Sequence, residues 1–319
     1  MKNQRCSHVS FRRPLLAALG VVCLALGDAV VRTPLLAQAA GTADTNWAAV
    51  AQAFGRTGSM QPGGVYKFGM PRTDLTVRIA GVTLKPALAL GSWLAFRHDS
   101  TTKQAIAMGD LVLLETEVGP VMRKLQAEGI QQTALHNHVL GEAPRIMYMH
   151  VMAEGDPVRI ARAVHDALAL TGTPAPTSGP PPAAAAFGLD TAALARELGY
   201  RGRVNGGVYQ VSVPRLDPVR IGGTVVPPAM GTATGINFQP VGGGRAAITG
   251  DFVLAADEVN PVIGILGQYG IAVTAVHSHM LDDEPRLFFL HFWAVDDAGH
   301  LSRGLRAALV LTKVKAPAS

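Results

Sequence analysis

Cysteine is nearly missing from this sequence, and its placement decides what is excluded. The two cysteines, Cys6 and Cys23, both fall within the first 39 residues. That stretch carries Lys2, Arg5, Arg12 and Arg13, then an apolar run from Pro14 to Leu26, then Ala37-Gln38-Ala39 in the small-x-small form of a signal-peptidase site. We read residues 1–39 as an export signal peptide. Its Ser10-Phe11-Arg12-Arg13-Pro14-Leu15-Leu16 suits a twin-arginine route as well as an ordinary one. The mature chain is then left without disulfides, thiolate ligands or a cysteine nucleophile. Any metal must be held by His, carboxylate, Met or backbone oxygen.

Excess charge is missing too. Five of the 28 Lys and Arg residues (Lys2, Arg5, Arg12, Arg13, Arg32) but only one acid, Asp28, lie in the signal, so the mature chain is nearly balanced. The basic character therefore says nothing about nucleic acid, which is not an expected partner. The apolar run is short of the roughly 20 residues that a membrane span needs, and no transmembrane helix is expected in the mature chain. Gly20-Val21-Val22 before Cys23 is a poor lipobox, so a lipid anchor is not expected either. Periplasmic or extracellular placement follows, with peripheral envelope association left open. Also absent are a G-x-S-x-G elbow, a G-x-G-x-x-G turn, a Walker sequence and an H-E-x-x-H helix.

The chain does contain a duplication. LHNHVLGEAPRIMYMH at 135–150 returns as VHSHMLDDEPRLFFLH at 276–291. Gly63-Gly64-Val65-Tyr66 returns as Gly206-Gly207-Val208-Tyr209, Pro71-Arg72-Thr73-Asp74 as Pro214-Arg215-Leu216-Asp217, and Gly109-Asp110 as Gly250-Asp251, at offsets of 141 to 143. We expect a first repeat domain over 42–170, a Pro/Ala-rich linker over 171–186 (TGTPAPTSGPPPAAAA) and a second repeat domain over 187–313.

Within a copy, the apolar period changes along the chain. Val65–Phe68, Leu75–Ile79 and Trp93–Phe96 read as short strands. Leu111–Leu114 is a strand, Glu117–Glu128 a helix stopped by Gly129, and Ile130–Leu140 with Ile146–Met152 a strand pair. Asp156-Pro157 opens a helix running to Leu170, with Pro at the first helical position. The second copy repeats this with Val259–Gln268, Ile271–Leu281, Leu287–Val295 and Leu301–Val310. The fold class is α+β, two tandem homologous domains, each a β-rich segment followed by a β-α-β-β-α unit of ferredoxin-like, split βαβ type.

Six of the ten histidines sit in the repeated motif. Alternation puts His136 and His138 on one strand face, about 7 Å apart. A five-residue turn, Gly141 to Arg145, would set His136 opposite His150, and likewise His277 opposite His291 beside His279; a slip of one residue would send the third His to the other face. Three imidazoles can bind Zn²⁺ at about 2.0–2.1 Å and leave a fourth position open for water or substrate. Met147, Met149, Met152 and Met280 keep copper open as the alternative. Glu142 and Asp283 or Glu284 sit in the acidic turns, where a carboxylate could be a further ligand, a partner for an imidazole N–H, or a general base on metal-bound water; Glu142 and Glu284 are the candidate catalytic bases. Arg145 and Arg286 are candidate clamps for an anionic substrate, with an ion pair fixing the turn as the competing account. Arg72/Asp74 and Arg215/Asp217 read as loop-locking pairs, Asp110 and Asp251 as turn formers after Gly. Trp93 and Trp293 read as core residues, with stacking beside a pocket as the other role of an exposed Trp.

The stretch GDLVLLETEVGPVMRKLQAEGIQQTALHNHVLGEAPRIMYMH, with KFGMPRTDLTV and ALGSW upstream, resembles the LppY/LpqO-type family of exported bacterial proteins, some of them lipoproteins, built from a tandem domain of unknown function. Thr133–His138 and Glu284–His291 carry the resemblance, which covers nearly all of the mature chain. Gly91-Ser92-Trp93 has no counterpart at Met230–Gly235, so the copies are not equivalent. The resemblance implies location and architecture but no reaction. Three functions stay open: a metal-dependent hydrolase acting on a small-molecule or cell-envelope ligand, a non-enzymatic metal-binding or metal-handling protein of the cell envelope, and a non-catalytic envelope binding or interaction module with structural histidines.

Overall fold

Each copy builds one six-stranded antiparallel sheet and covers one face of it with helices. The computed structural model describes residues 45–99, 102, 104–176 and 186–316. The expected export signal and residues 177–185 of the expected linker lie outside the described residues. The first copy runs α1 (Trp47–Phe54), β1 (Ser59–Gln61), β2 (Val65–Pro71), β3 (Arg78–Ile79), β4 (Val82–Thr83), α2 (Pro86–Ala89), β5 (Gly91–His98), β6 (Ala105–Leu114), α3 (Glu115–Ala127), β7 (Gln131–His136), β8 (Ile146–Gly155) and α4 (Pro157–Leu168). The second runs α5 (Thr191–Leu198), β9 (Arg203–Asn205), β10 (Val208–Pro214), β11 (Val219–Ile221), β12 (Thr224–Val226), β13 (Ala233–Gly242), β14 (Arg245–Leu254), α6 (Ala256–Gln268), β15 (Ala272–His277), β16 (Asp283–Glu284), β17 (Phe288–Asp297) and α7 (Ala298–Val310).

The sheet orders are β1-β2-β5-β6-β8-β7 and β15-β17-β14-β13-β10-β9. In each, the last hairpin strand slots between the strand before the helix and the strand after it: β8 lies between β6 and β7, β17 between β14 and β15. This is the split βαβ expected from the sequence. The upstream β-rich segment, which the sequence pattern does not place, extends the same sheet outward through β5, β2 and β1. No helix among the described residues is long and apolar enough to cross a membrane.

Local chemistry sets the helix ends. Asp156 accepts from the backbone N–H groups of Val158 and Arg159 at 2.7 and 3.0 Å, with Pro157 at the first helical position of α4. Glu117 and Glu258 reach back to the N–H groups of Leu114 and Ala255 at 2.9 and 2.7 Å, closing the first turns of α3 and α6.

Alternation along β6 sorts its side chains. Ala105, Ala107, Leu111 and Leu113 point under the helices into a core with Phe68, Phe96, Leu125 and Val164. Ile106, Met108, Asp110 and Val112 point the other way, toward the second copy: Ile106 and Met108 share a buried cluster with Val219, Val253 and Phe289, and Val112 shares one with Val208, Ala247 and Trp293. Nine of the ten β6 residues are buried, so the strand shows no polar alternation. The two helix-free sheet faces thus meet, within one compact unit, Ala43–Ser319.

Gly109 and Gly250 sit where neighbouring strands leave no room. A Cβ on Gly250 would stand 1.9 Å from the carbonyl oxygen of Gly235, and one on Gly109 would stand 2.8 Å from that of Trp93. Backbone cannot swing aside as a side chain can. Gly250→Ala is expected to cost about 1–3 kcal/mol or more through forced strand separation, read as a lower urea midpoint, with Gly109→Ala the milder of the two.

Candidate functional site

The hairpin register differs from expectation by two residues. His136 stands opposite Tyr148 and Ala134 opposite His150, with a bulge between Gln132 and Ala134; His277 stands opposite Phe289 and Ala275 opposite His291. The strand ends at His136, so nine residues rather than five link β7 to β8. Because the slip is even, His136 and His150 still share a face. That is the helix-free face, and it brings all six histidines of the two motifs into one cluster.

Rings meet across the copies. His136 stacks on His277 with centroids 3.6 Å apart, His150 on His279 at 3.7 Å and His138 on His291 at 4.0 Å. Since His136, His138 and His150 correspond to His277, His279 and His291, the last two contacts are mates under a pseudo-twofold that exchanges the copies. Aromatic neighbours back the outer pair: His138 lies on Tyr148 and His279 on Phe289, each at 3.4 Å.

The backbone settles which nitrogen faces inward. His136 Nδ1 is 3.1 Å from the Asn137 carbonyl and His277 Nδ1 is 3.1 Å from the Ser278 carbonyl. A carbonyl only accepts, so each Nδ1 carries the proton and each Nε2 keeps its lone pair for the cluster. His277 Nε2 and His291 Nε2 lie 2.8 Å apart, one donating to the other. The Nε2 atoms of His136, His138, His150 and His279 are buried without a hydrogen-bond partner. Leaving a buried polar atom unpaired costs about 1–3 kcal/mol, and four of them point into one small space.

Asp110 and Asp251, expected to be turn formers, are instead mid-strand. Asp110 pairs across β6 and β8 with His150, and Asp251 across β14 and β17 with His291. Asp110 oxygens lie 3.7 Å from His138 Nε2 and 3.9 Å from His150 Nε2, while Asp251 Oδ1 contacts His291 Nδ1. Burial, then the like charge of Asp251, pushes the Asp110 carboxyl up to about 7. Burial, then neighbouring imidazoles, pulls His136 down to about 3, and burial with His291 pulls His277 to about 4. His138, His150 and His279 are held well below the usual range by the same causes. For His291, burial opposes the charge but the Asp251 carboxylate outweighs it and raises the group. Five imidazoles are thus neutral at neutral pH, the form that binds metal.

Three overlapping groups could hold a metal ion: His136 with His138 and His150; His136 with His277, His279 and His291; and His138 with Asp251 and His291. A cavity of about 1250 Å³ opens on the cluster, lined there by Asp110, His138, His150, Asp251 and His279 and higher up by Lys67 and Trp93.

The turn residues lie elsewhere. Glu142 Oε1 accepts from the Ile146 N–H at 3.2 Å, and its counterpart is Asp283, whose Oδ2 accepts from Leu287 N–H at 2.6 Å. Glu284 is exposed on β16, paired in register with Arg220. Arg286 donates to Asp283, Ser278 and the Leu281 carbonyl within 3.0 Å, which is the turn-fixing role, and exposed Arg145 lies 3.8 Å from Glu115. None of Glu142, Glu284, Arg145 and Arg286 lines the cavity or joins a metal-capable group. The carboxylates that do reach the cluster were signalled by the repeat of Gly-Asp at 109–110 and 250–251. Trp293 is buried, as expected, whereas Trp93 is only partly buried and faces the cavity.

One family model matches twice, over residues 48–170 and 192–311, and is described as Domain of Unknown Function (DUF1259). No curated protein matches the chain. Among solved structures, a trimeric bacterial microcompartment shell protein, PduB, matches at 10% identity over 80% of this chain and 89% of its own, with a TM-score of 0.20. EtuB from Clostridium kluyveri matches at 12% identity over the same shares, with a TM-score of 0.19. At those scores neither likeness bears on fold or function.

Proposed function

The chain belongs to this family of a domain of unknown function, which it carries twice, and for it we propose a single metal centre shared between the copies. The six histidines, with Asp110 and Asp251, hold a divalent transition-metal ion in overlapping positions that share the one free nitrogen of His136; zinc is the first choice and copper the alternative. The observation that carries this is the set of four buried, unpartnered Nε2 atoms aimed into one space. The carboxylates beside them, Asp110 buried and Asp251 partly buried, add a need for positive charge that a cation meets.

A bound zinc ion would act as a Lewis acid and lower the pKa of a coordinated water. This supports a metal-dependent hydrolase, with small molecules entering by the cavity and Asp110 or Asp251 the carboxylates in reach. The sequence features of residues 1–39 and the LppY/LpqO-type motifs support an exported, periplasmic or extracellular setting. The second reading, a binding module with structural histidines, is favoured by the ring stacking and by the His277–His291 hydrogen bond.

Elemental analysis of the chain from residue 40 onward, prepared without a His-tag, separates the two. Up to one equivalent of metal is expected. His136→Ala/His138→Ala breaks all three groups and should lose all of it, and His277→Ala/His279→Ala should lose most of it because the shared position draws on both copies, although His136, His138 and His150 stay in place. Independent sites would lose half in each variant; wild-type protein that neither retains nor regains metal would sink the centre altogether.

A further inference from the structure

The two copies agree at the histidines and aspartates but part company on the cavity wall. Gln210 stands in the second copy where Lys67 stands in the first, and Gly235 where Trp93 stands: Trp93 pairs in register with Asp110 and Gly69, and Gly235 with Asp251 and Ser212. Gln210 is committed to the Ala87 carbonyl at 2.8 Å. Lys67 also donates to a carbonyl, but its ammonium has three N–H donors. Its Nζ lies 4.0 Å over the Trp93 ring and donates to the Ala229 carbonyl at 3.0 Å, and among the described residues it has no acid at ion-pair distance. Trp93 in turn is seated by Gly231, where a Cβ would meet the ring at 2.9 Å.

The charges around this cavity are sorted. Among the described residues, its cations outside the cluster are Lys67, Arg201 and Arg203, and its acids are Asp110 and Asp251. Those two acids belong to the proposed centre, so with metal in place nothing on the wall answers the three cations. A cleft of one sign with low-dielectric walls concentrates the opposite charge. Burial pulls Lys67 down to about 8, which leaves it cationic at neutral pH and poorly solvated.

Building on the proposed centre, we infer that the cavity takes a small organic oxyanion, its carboxylate or phosphate held by Lys67 and its flat or apolar part against Trp93. A ligand so placed lies between Lys67 and the histidine cluster at the cavity floor.

The test is calorimetric titration of wild-type protein and Lys67→Gln with inorganic phosphate, benzoate and the neutral benzamide, with metal content measured on the same samples. Glutamine is the second copy's own residue at this position, so the fold tolerates it. We expect wild type to bind at least one anion and benzamide at least tenfold more weakly, and Lys67→Gln to lose at least tenfold in anion affinity with its metal content unchanged. Phosphate against benzoate tells which oxyanion is preferred. No anion binding by wild type, equal binding of benzamide, or undiminished binding by Lys67→Gln overturns the inference. Metal content reads the centre separately: anion binding through Lys67 in a metal-free protein would keep this inference and remove the centre.

Discussion

Zinc added to chelator-treated protein at about a thousand times its dissociation constant is expected to raise the melting temperature by about 8 °C or more. Binding to the folded state alone contributes RT ln(1 + [L]/Kd), about 4 kcal/mol at that excess, and a chain of this size gains about 2–4 °C per kcal/mol. The effect should be large because the ligands come from β7, β8, β15 and β17 and the segments that follow β7 and β15, and unfolding separates them all. His136→Ala is the sharp control. His136 belongs to the first copy's triad and also completes the group of His277, His279 and His291, so one substitution should remove nearly the whole shift. A thermal scan in which His136→Ala keeps half of the shift would point to two independent sites, and no shift in wild type would point to structural histidines.

The second large effect lies in the ion pairs that lock each copy. Arg72 is fully buried; it donates to both oxygens of Glu117 at 2.7 and 3.1 Å, to Asp74 at 2.9–3.2 Å, and to the Val112 carbonyl at 2.8 Å. Arg72→Ala leaves Glu117 charged and buried with that carbonyl unpaired, and about 3–5 kcal/mol of stability should go. Arg215 makes the same bond to Glu258 at 2.6 Å, but its Nε has no partner and Asp217 stands off at 3.7 Å. Arg215→Ala should therefore cost less than Arg72→Ala. Replacing Arg72 and Glu117 together by apolar residues recovers only part, since Glu117 also accepts from the N–H groups of Leu114 and Gly172. Urea midpoints of the four proteins check this; equal losses for the two arginines would contradict it.

Much of the fold could be read from the residues. The start of α4 was legible because Asp156-Pro157 carries its own cap, and the split βαβ because the period changes from helix to strand at Gly129. Strand β6 was legible only over Leu111–Leu114, since burial on both faces removes the alternation on which the rest of the strand would have shown. Helices α1 and α5 went unread, although Asn46 with Gly55 and Asp190 with Gly199 flank them as caps. The site was half legible. Its histidines were picked out by repetition, and the even slip in register spared the prediction that they share a face. That both triads enter one cluster was not legible, because it depends on two helix-free sheet faces meeting, which no local pattern encodes. Glu142 and Glu284 drew attention as acids near the motif, yet the paired strands bring Asp110 and Asp251 to the imidazoles instead.

The pseudo-twofold through the histidine cluster has a historical consequence. One copy alone carries three of the six histidines, so a single-copy forerunner would assemble the full cluster as a symmetric homodimer, in which any change to one wall is forced on the other. Joining the copies in one chain broke that constraint. Lysine and tryptophan can then stand on one side with glutamine and glycine on the other, and a symmetric pair of walls becomes a cavity with a direction.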